Sequence, residues 1–152
     1  MSDDEFLKFQ ERASADYAAE RVAAGDWHPK VARERAAQAL SDLLPQGRLS
    51  VGHRMMTLLD VATGQAVGVI WWQERLRGGQ RSAQLLDLYI ELKHRGYGFG
   101  RVAMGMLEAK VRAEGVRVLT LNVFGRNETA IQLYRSLDFE VISLEMAKVL
   151  PE

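Results

Sequence analysis

The segment Arg95-Gly96-Tyr97-Gly98-Phe99-Gly100 lies between a stretch with strand character and one with helical spacing, and its composition suits an anion site. Three glycines at alternate positions let the backbone curl tightly and approach a ligand closely. A helix start leaves several N–H donors without carbonyl acceptors and carries a partial positive charge. A glycine curl feeding such a helix is a cradle for a phosphate or diphosphate, and Arg95 adds a full charge with planar donors. The same turn also has a purely structural reading, as a tight connection. A P-loop is excluded, because no Lys-Ser or Lys-Thr follows the glycines. Gly98-Phe99-Gly100-Arg101-Val102-Ala103 satisfies the dinucleotide pattern G-x-G-x-x-A, but that fold needs a carboxylate about 20 positions on, at the end of the next strand. The strand ending Leu121-Asn122-Val123 offers only Asn122 there, and too little chain remains for a doubly wound sheet.

Asp87 and Glu91 precede the glycines with a spacing of four in an extended segment, so they share one face. They read either as a reactive carboxylate pair or as salt-bridge partners. His28, His53 and His94 are scattered without metal-ligand spacing. There are no cysteines, which excludes disulfides and a cysteine nucleophile; no metal site is expected. His94 borders the glycine turn and can reach whatever binds there. Trp71 and Trp72 are neighbours in a strand and face opposite ways. One belongs to the core; the other is free for an acceptor cleft or a subunit contact.

These residues need elements to hold them. Asp3 to about Ala24 is helical, with Phe6, Phe9, Ala13 and Tyr17 at three- and four-residue steps. Gly25 stops it, and Pro29 opens a second helix that ends at Leu44-Pro45-Gln46-Gly47. His53 to Leu59 and Ala66 to Gln73 form a hairpin around Thr63-Gly64. A polar loop over Arg75 to Arg81 leads to a third strand, Ser82 to Glu91. Gly98 to Glu114 is a helix with Gly115 as its stop. Val116 to Val123 is a strand, Asn127 to Leu137 a short helix, and Phe139 to Val149 one or two final strands. This order gives an α/β (α+β) chain with a mixed sheet flanked by helices, in one domain.

Bulk properties narrow the function. In a chain of 152 residues, 20 basic residues balance 20 acidic ones, which disfavours a nucleic-acid partner. The acidic N-terminus has no signal-peptide core, and the longest apolar stretch, Ala66 to Trp72, is too short to span a bilayer. No membrane role and a cytoplasmic location are the expectations.

Two runs carry a resemblance. Asp87-Leu88-Tyr89-Ile90-Glu91-Leu92-Lys93-His94-Arg95-Gly96-Tyr97-Gly98-Phe99-Gly100 resembles the central motif of the GNAT superfamily of N-acetyltransferases, a strand followed by R/Q-x-x-G-x-G/A. Leu121-Asn122-Val123-Phe124-Gly125-Arg126-Asn127-Glu128-Thr129-Ala130-Ile131-Gln132-Leu133-Tyr134 resembles a second motif, L-x-V-x-x-x-N-x-x-A-x-x-L-Y, in the family's order. The resemblance runs from about His53 to the C-terminus. It implies a mostly antiparallel twisted sheet, splayed between the strands at about 82–91 and 116–123. Residues 53–150 would be a cofactor-binding core and residues 1–47 a helical region on the acceptor side.

It also implies acetyl-CoA as co-substrate, with no metal. The turn Arg95, Gly96, Tyr97, Gly98, Phe99, Gly100 and Arg101 would hold its diphosphate, and the backbone of Tyr89 and Ile90 its pantetheine arm. Asn127 caps the last helix by its position, and the family places an Asn there against the same arm. Tyr134 corresponds to the tyrosine that many members set near the coenzyme sulfur. A phenol of pKa about 10 can hand a proton to a thiolate of pKa about 8.5. Tyr134 also reads as a core residue one turn from Ile131 and Leu137. An alkylammonium of pKa about 10.4 must lose a proton before it attacks; Asp87 is the candidate base or substrate anchor. The acceptor is a small-molecule or peptide amine, and the specificity elements would be the first two helices and the Arg75 to Arg81 loop. Homodimers are frequent in the family. A non-catalytic acyl-CoA sensor with the same fold is the alternative. The sequence departs from the family in lacking a strand before its first helix. It also has Asp138 where a Gly is usual, a left-handed site that Asp tolerates.

Overall fold

A computed structural model describes residues 1–151. It begins with helix α1 (Asp3–Ala23), and no strand precedes it. Ser2 and Glu5 form a reciprocal cap: the Ser2 N–H donates to Glu5 Oε2 at 2.6 Å and the Glu5 N–H to Ser2 Oγ at 3.2 Å. Helix α2 (Pro29–Leu43) starts on its proline. Strands β1 (His53–Leu59), β2 (Ala66–Arg77) and β3 (Gln80–Ile90) form an antiparallel meander. Helix α3 (Phe99–Ala113) returns the chain, and β4 (Val118–Leu121) pairs parallel to β3. The sheet order is β1-β2-β3-β4, so the expected mixed, mostly antiparallel α/β sheet is present.

Two expectations about the elements are corrected. Residues Arg75 to Arg81 are not a loop: β2 runs on to Arg77 and β3 starts at Gln80. The turn is Gly78-Gly79 alone, with φ of +56° and +80°, the paired left-handed geometry of a two-residue hairpin. The strand ends are charged and exposed there, which blurs the alternation. Second, no strand is found in residues 139–151. A strand needs a ladder partner, and none is present for this segment among the described residues.

The chain divides into two compact units, Met1–Asn122 and the residues from Val123 on. In the first, Phe6, Phe9, Leu44 and Trp71 make one core cluster, with Leu40, Met55 and Leu86 packed against it. Phe9 meets Trp71 edge-on at 5.4 Å. Ala18, Ala32 and Ala36 let α1 and α2 approach closely. Trp71 and Trp72 are both buried, at 5% and 1% exposure, so neither lines a surface. Trp71 Nε1 donates to His53 Nδ1 at 3.0 Å, and burial lowers the His53 pKa, holding the ring neutral. In the second unit, α4 (Glu128–Ser136) is capped by Asn127. It ends with Asp138 at φ +63°, while the Asp138 and Phe139 N–H groups donate to the Arg135 and Tyr134 carbonyls. That is the glycine-type helix stop, made with an aspartate.

Candidate active site

The sheet opens in its middle. β3 pairs with β4 only from Ser82↔Val118 to Leu85↔Leu121. β3 then continues to Ile90 with β2 as its only strand partner. At the same point the β2–β3 register slips: Trp72 faces Leu85 and Trp71 faces Asp87, leaving Leu86 as the extra residue of a bulge. Backbone polar groups alternate sides along a strand, so one inserted residue reverses which positions face each edge. Before the bulge the Arg81 carbonyl accepts from Arg117 N–H (3.1 Å) and the Ala83 carbonyl from Thr120 Oγ1 (3.4 Å), both on the β4 side. After it, the Glu91 N–H donates to the Val67 carbonyl of β2 at 2.9 Å. The ladder thereby turns the Tyr89 groups toward β2 and those of Leu88 and Ile90 toward the open edge. Leu88 was not among the sequence candidates; a bulge leaves no compositional mark.

Gly68 makes this edge possible. A Cβ on Gly68 would stand 2.1 Å from the Tyr89 carbonyl oxygen, so only glycine permits β2 to lie so close to β3.

Beyond Ile90 a 3₁₀ turn over Leu92–His94 leads into the glycine curl. Gly96 and Gly98 have φ of +82° and +84°, and a Cβ on either would meet nothing within 4 Å. Space is therefore open on the Cβ side of both glycines. Helix α3 starts at Phe99; the Gly98 carbonyl accepts its first N–H, from Val102, at 3.1 Å, and no side chain caps it. The glycine curl and the uncapped helix start suit a diphosphate. Tyr97 is exposed beside them. Arg95 folds back: its Nε donates to the Ile90 carbonyl at 2.8 Å and its guanidinium lies 5.5 Å over the Tyr89 ring. His94 stands edge-on to Phe99 at 6.1 Å, with a buried Nε2 that has no hydrogen-bond partner.

On the other face of the opening, Asp87 Oδ2 accepts from Arg12 of α1, which also donates to Asp16 Oδ2 at 2.9 Å. The Arg12 guanidinium lies 4.2 Å over the Tyr89 ring and 5.6 Å from that of Phe9. Burial pushes the Asp87 carboxyl above its ordinary pKa, and Arg12 pulls it partly back. Burial also disfavours the Arg12 charge, but Asp87 and Asp16 more than offset it, so the Arg12 pKa is raised. Among the described residues, nothing donates to Asp87 Oδ1. Glu91 lies nearer solvent, 3.6 Å from Lys93 Nζ. Sequence reasoning missed Arg12. Its only signal is a guanidinium three residues after Phe9, on the stripe that α1 turns inward.

In the second unit, Asn127 Oδ1 accepts from the Ala130 N–H at 3.2 Å, the cap expected from its position. The Tyr134 ring meets Phe139 at 5.7 Å and is half-buried.

The profile of the acetyltransferase (GNAT) family matches residues 17–139. The chain belongs to the GNAT family of acetyltransferases. It is similar to Bacillus subtilis YycN, named an uncharacterized N-acetyltransferase, at 32% identity over 99% of this chain and 96% of that protein. YdgE of the same organism, named likewise, is 28% identical over 99% and 95%. The crystal structure of YycN matches with a TM-score of 0.94, covering 100% of this chain and 96% of the other. The fold alone is shared with a ribosomal-protein-alanine N-acetyltransferase of Brucella melitensis, at a TM-score of 0.58 and 19% identity, covering 92% and 90%. This acetyltransferase is thus an acyl-transferring enzyme of a family that generally uses acetyl-CoA. Among the described residues no helix is long and apolar enough to cross a membrane, and no cluster of three or more His, Cys, Asp or Glu is placed to hold a metal.

Proposed function

We propose that this enzyme transfers the acetyl group of acetyl-CoA to a primary amine by direct attack in a ternary complex. The observation that supports this best is the opening after Leu85 and Leu121, continuous in sequence with a glycine curl whose Gly96 and Gly98 take left-handed backbone with open space beside them. An extended amide-bearing arm suits the strand-free edge at Leu88 and the Ile90 N–H, and a diphosphate suits the curl with Gly96, Tyr97, Gly98, Phe99, Gly100 and Arg101. Arg95 supplies charge beside it while its Nε stays on Ile90. An N–H on this edge serves as a donor to the carbonyl oxygen as negative charge develops there.

The acceptor is a cation before reaction, and Asp16, Arg12 and Asp87 together carry one net negative charge. Asp87 Oδ1 anchors the ammonium, and the proton leaves through that carboxylate or through water. The neutral amine then attacks the thioester carbonyl: the C–N bond forms, the C–S bond breaks, the thiolate takes a proton from the Tyr134 hydroxyl, and the second proton shed by the nitrogen as the amide forms restores the phenol through water. Asn127 contacts the pantetheine arm with the amide edge its cap leaves over. The protein works as one domain and as a cytoplasmic enzyme in this reading.

The test is Tyr134→Phe, assayed for amine acetylation by mass spectrometry and for acetyl-CoA binding by calorimetry. A general acid contributes about 10²- to 10⁴-fold, so kcat should fall by that range while binding stays within a few-fold. Unchanged kcat removes Tyr134 from the mechanism. Absence of turnover with any amine in the wild-type protein, alongside intact binding, removes the transferase reading in favour of a sensor.

A further inference from the structure

The segment between α2 and β1 walls a cavity of about 300 Å³, within the first compact unit, that no step of the proposed reaction uses. Arg48, Val51, Gly52, His53 and Arg54 line it. The segment is held from several sides. Ser50, 4% exposed, donates through Oγ to the Gly47 carbonyl at 2.7 Å and accepts from the Gln46 N–H at 3.0 Å. The His53 N–H closes a turn on the Ser50 carbonyl at 3.1 Å, and the Gly52 carbonyl accepts from the Glu74 N–H of β2 at 2.8 Å. Gly52 takes φ +78°, with the Glu74 carbonyl oxygen 3.1 Å from where a Cβ would stand. A cavity walled by so fixed a loop is ready for a ligand without further ordering.

The lining is rich in free donors. His53 is only 8% exposed, and its Nδ1 accepts from Trp71 Nε1, so the ring proton sits on Nε2. Among the described residues nothing accepts that proton, and the free N–H opens onto the cavity. The Val51 and Gly52 N–H groups likewise find no acceptor among the described residues. Arg48 meets Asp3, and Arg54 faces Glu74, each through Nε. The Nη donors of both arginines stay without a hydrogen-bond acceptor among the described residues. Arg81 shares Glu74, so three cations, Arg48, Arg54 and Arg81, face two carboxylates, Asp3 and Glu74, and one positive charge is unmatched. Glu114 nearby is matched by Lys110.

A buried histidine with one nitrogen satisfied by the core and the other led into a cationic cavity is placed for an anion. The donors come from an imidazole, a backbone turn and two arginines. A carboxylate offers two oxygens in one plane; a phosphate offers more, around a tetrahedron, and answers such a set better. We propose that this cavity binds a phosphate group, free or carried by a small metabolite. His53 Nε2 and the Val51 and Gly52 N–H groups donate to it, and Arg48 and Arg54 supply counter-charge. The volume is at the lower end of small-molecule sites, about 300–1,000 Å³. The site is separate from the glycine curl: it adjoins Glu74 of β2, whereas the curl follows Ile90, which pairs with Gly68. Six residues of strand, roughly 20 Å, lie between. The inference does not depend on the catalytic reading.

NMR of the ¹⁵N-labelled full chain tests this, by titration with inorganic phosphate and, separately, with glucose 6-phosphate at constant ionic strength. The Val51 and Gly52 amides and the His53 Nε2 resonance should move together on one saturating curve, apart from any response at Gly96 and Gly98. Arg48→Gln should raise the Kd about 10- to 100-fold by removing a charge-assisted contact. Arg54→Gln repeats the measurement without touching the Asp3 contact and should act in the same direction. Tighter binding of the ester assigns the site to a phosphorylated metabolite; equal binding assigns it to free phosphate. Shifts that do not saturate, or that sodium chloride reproduces, overturn the proposal. A wild-type Kd in both arginine variants overturns it too.

Discussion

Gly98→Ala separates the cost of an unusual backbone from the loss of a binding surface. Gly98 sits at φ +84° with open space where a Cβ would go. A non-glycine residue there costs roughly 1–2 kcal/mol of backbone strain, or about 2–8 °C in Tm for a chain of this size. Gly79 is the matched control: φ is +80°, its surroundings are equally open, and it lies in the β2–β3 turn. Gly79→Ala should lose a similar amount of stability. Only at Gly98 does the added methyl enter the curl assigned to the diphosphate. There it displaces at least one charge-assisted hydrogen bond, worth about 1.5–3 kcal/mol, or roughly 10- to 100-fold in affinity. Calorimetry with acetyl-CoA and thermal melts of both variants measure the two quantities side by side. Equal stability losses with a Kd raised only in Gly98→Ala are expected. If both variants bind as tightly as the wild type, the assignment of the curl is refuted.

Arg12→Gln removes the partner that holds Asp87 down, so the Asp87 pKa, already raised by burial, should rise further and move the acidic limb of the kcat/KM profile to higher pH. A group whose folded pKa exceeds its unfolded one gives stability that is present below the unfolded pKa, about 3.9, and lost as pH rises through the folded pKa. The variant should therefore be hurt more at neutral pH, by about 2–3 kcal/mol for a pair only one-fifth exposed, than near pH 4; urea melts across pH read this. Gly68→Ala drives a methyl against the Tyr89 carbonyl and should cost about 3 kcal/mol in urea unfolding, with weaker acetyl-CoA binding because the open edge of β3 shifts with it.

The sequence makes its local features plain and hides its distant ones. Pro29, Gly115, Asn127 and Asp138 each act within a few residues of themselves, and each does in the structure what its chemistry implies. Helix boundaries follow, because caps and stops are local. The β2–β3 turn was harder. Glu74, Arg75 and Arg77 are polar where the hairpin leaves the core, so the strand loses its alternation before it ends. Arg12 and Asp87 lie 75 positions apart, and nothing in one foretells the other. The Leu86 bulge is invisible for a different reason: Leu85-Leu86 is an ordinary apolar pair, and its extra residue has meaning only against Trp71 and Trp72.

That bulge is where fold and chemistry meet. Without it, β3 would keep one parity, and the odd-numbered positions that face β4 at Arg81 and Ala83 would face it still at Tyr89. The inserted residue does two things at once. It turns Leu86 onto the Phe6, Phe9 and Trp71 cluster beside an Asp87 that reaches Arg12 on α1, so consecutive side chains both point toward the helical layer. It also turns the backbone of Leu88 and Ile90 toward the gap where pairing with β4 has stopped. In the proposed reaction, the acceptor side and the coenzyme side are thus set by a single register slip. Gly68 lies across from Ile90, and its missing side chain lets β2 and β3 lie close together there. A sheet that loses half its ladder normally frays; here burial of Trp71, Trp72 and Val67 on β2 supports the stretch from behind, and an edge that would otherwise be a defect becomes a row of donors and acceptors, of which the Ile90 carbonyl already accepts from Arg95 Nε.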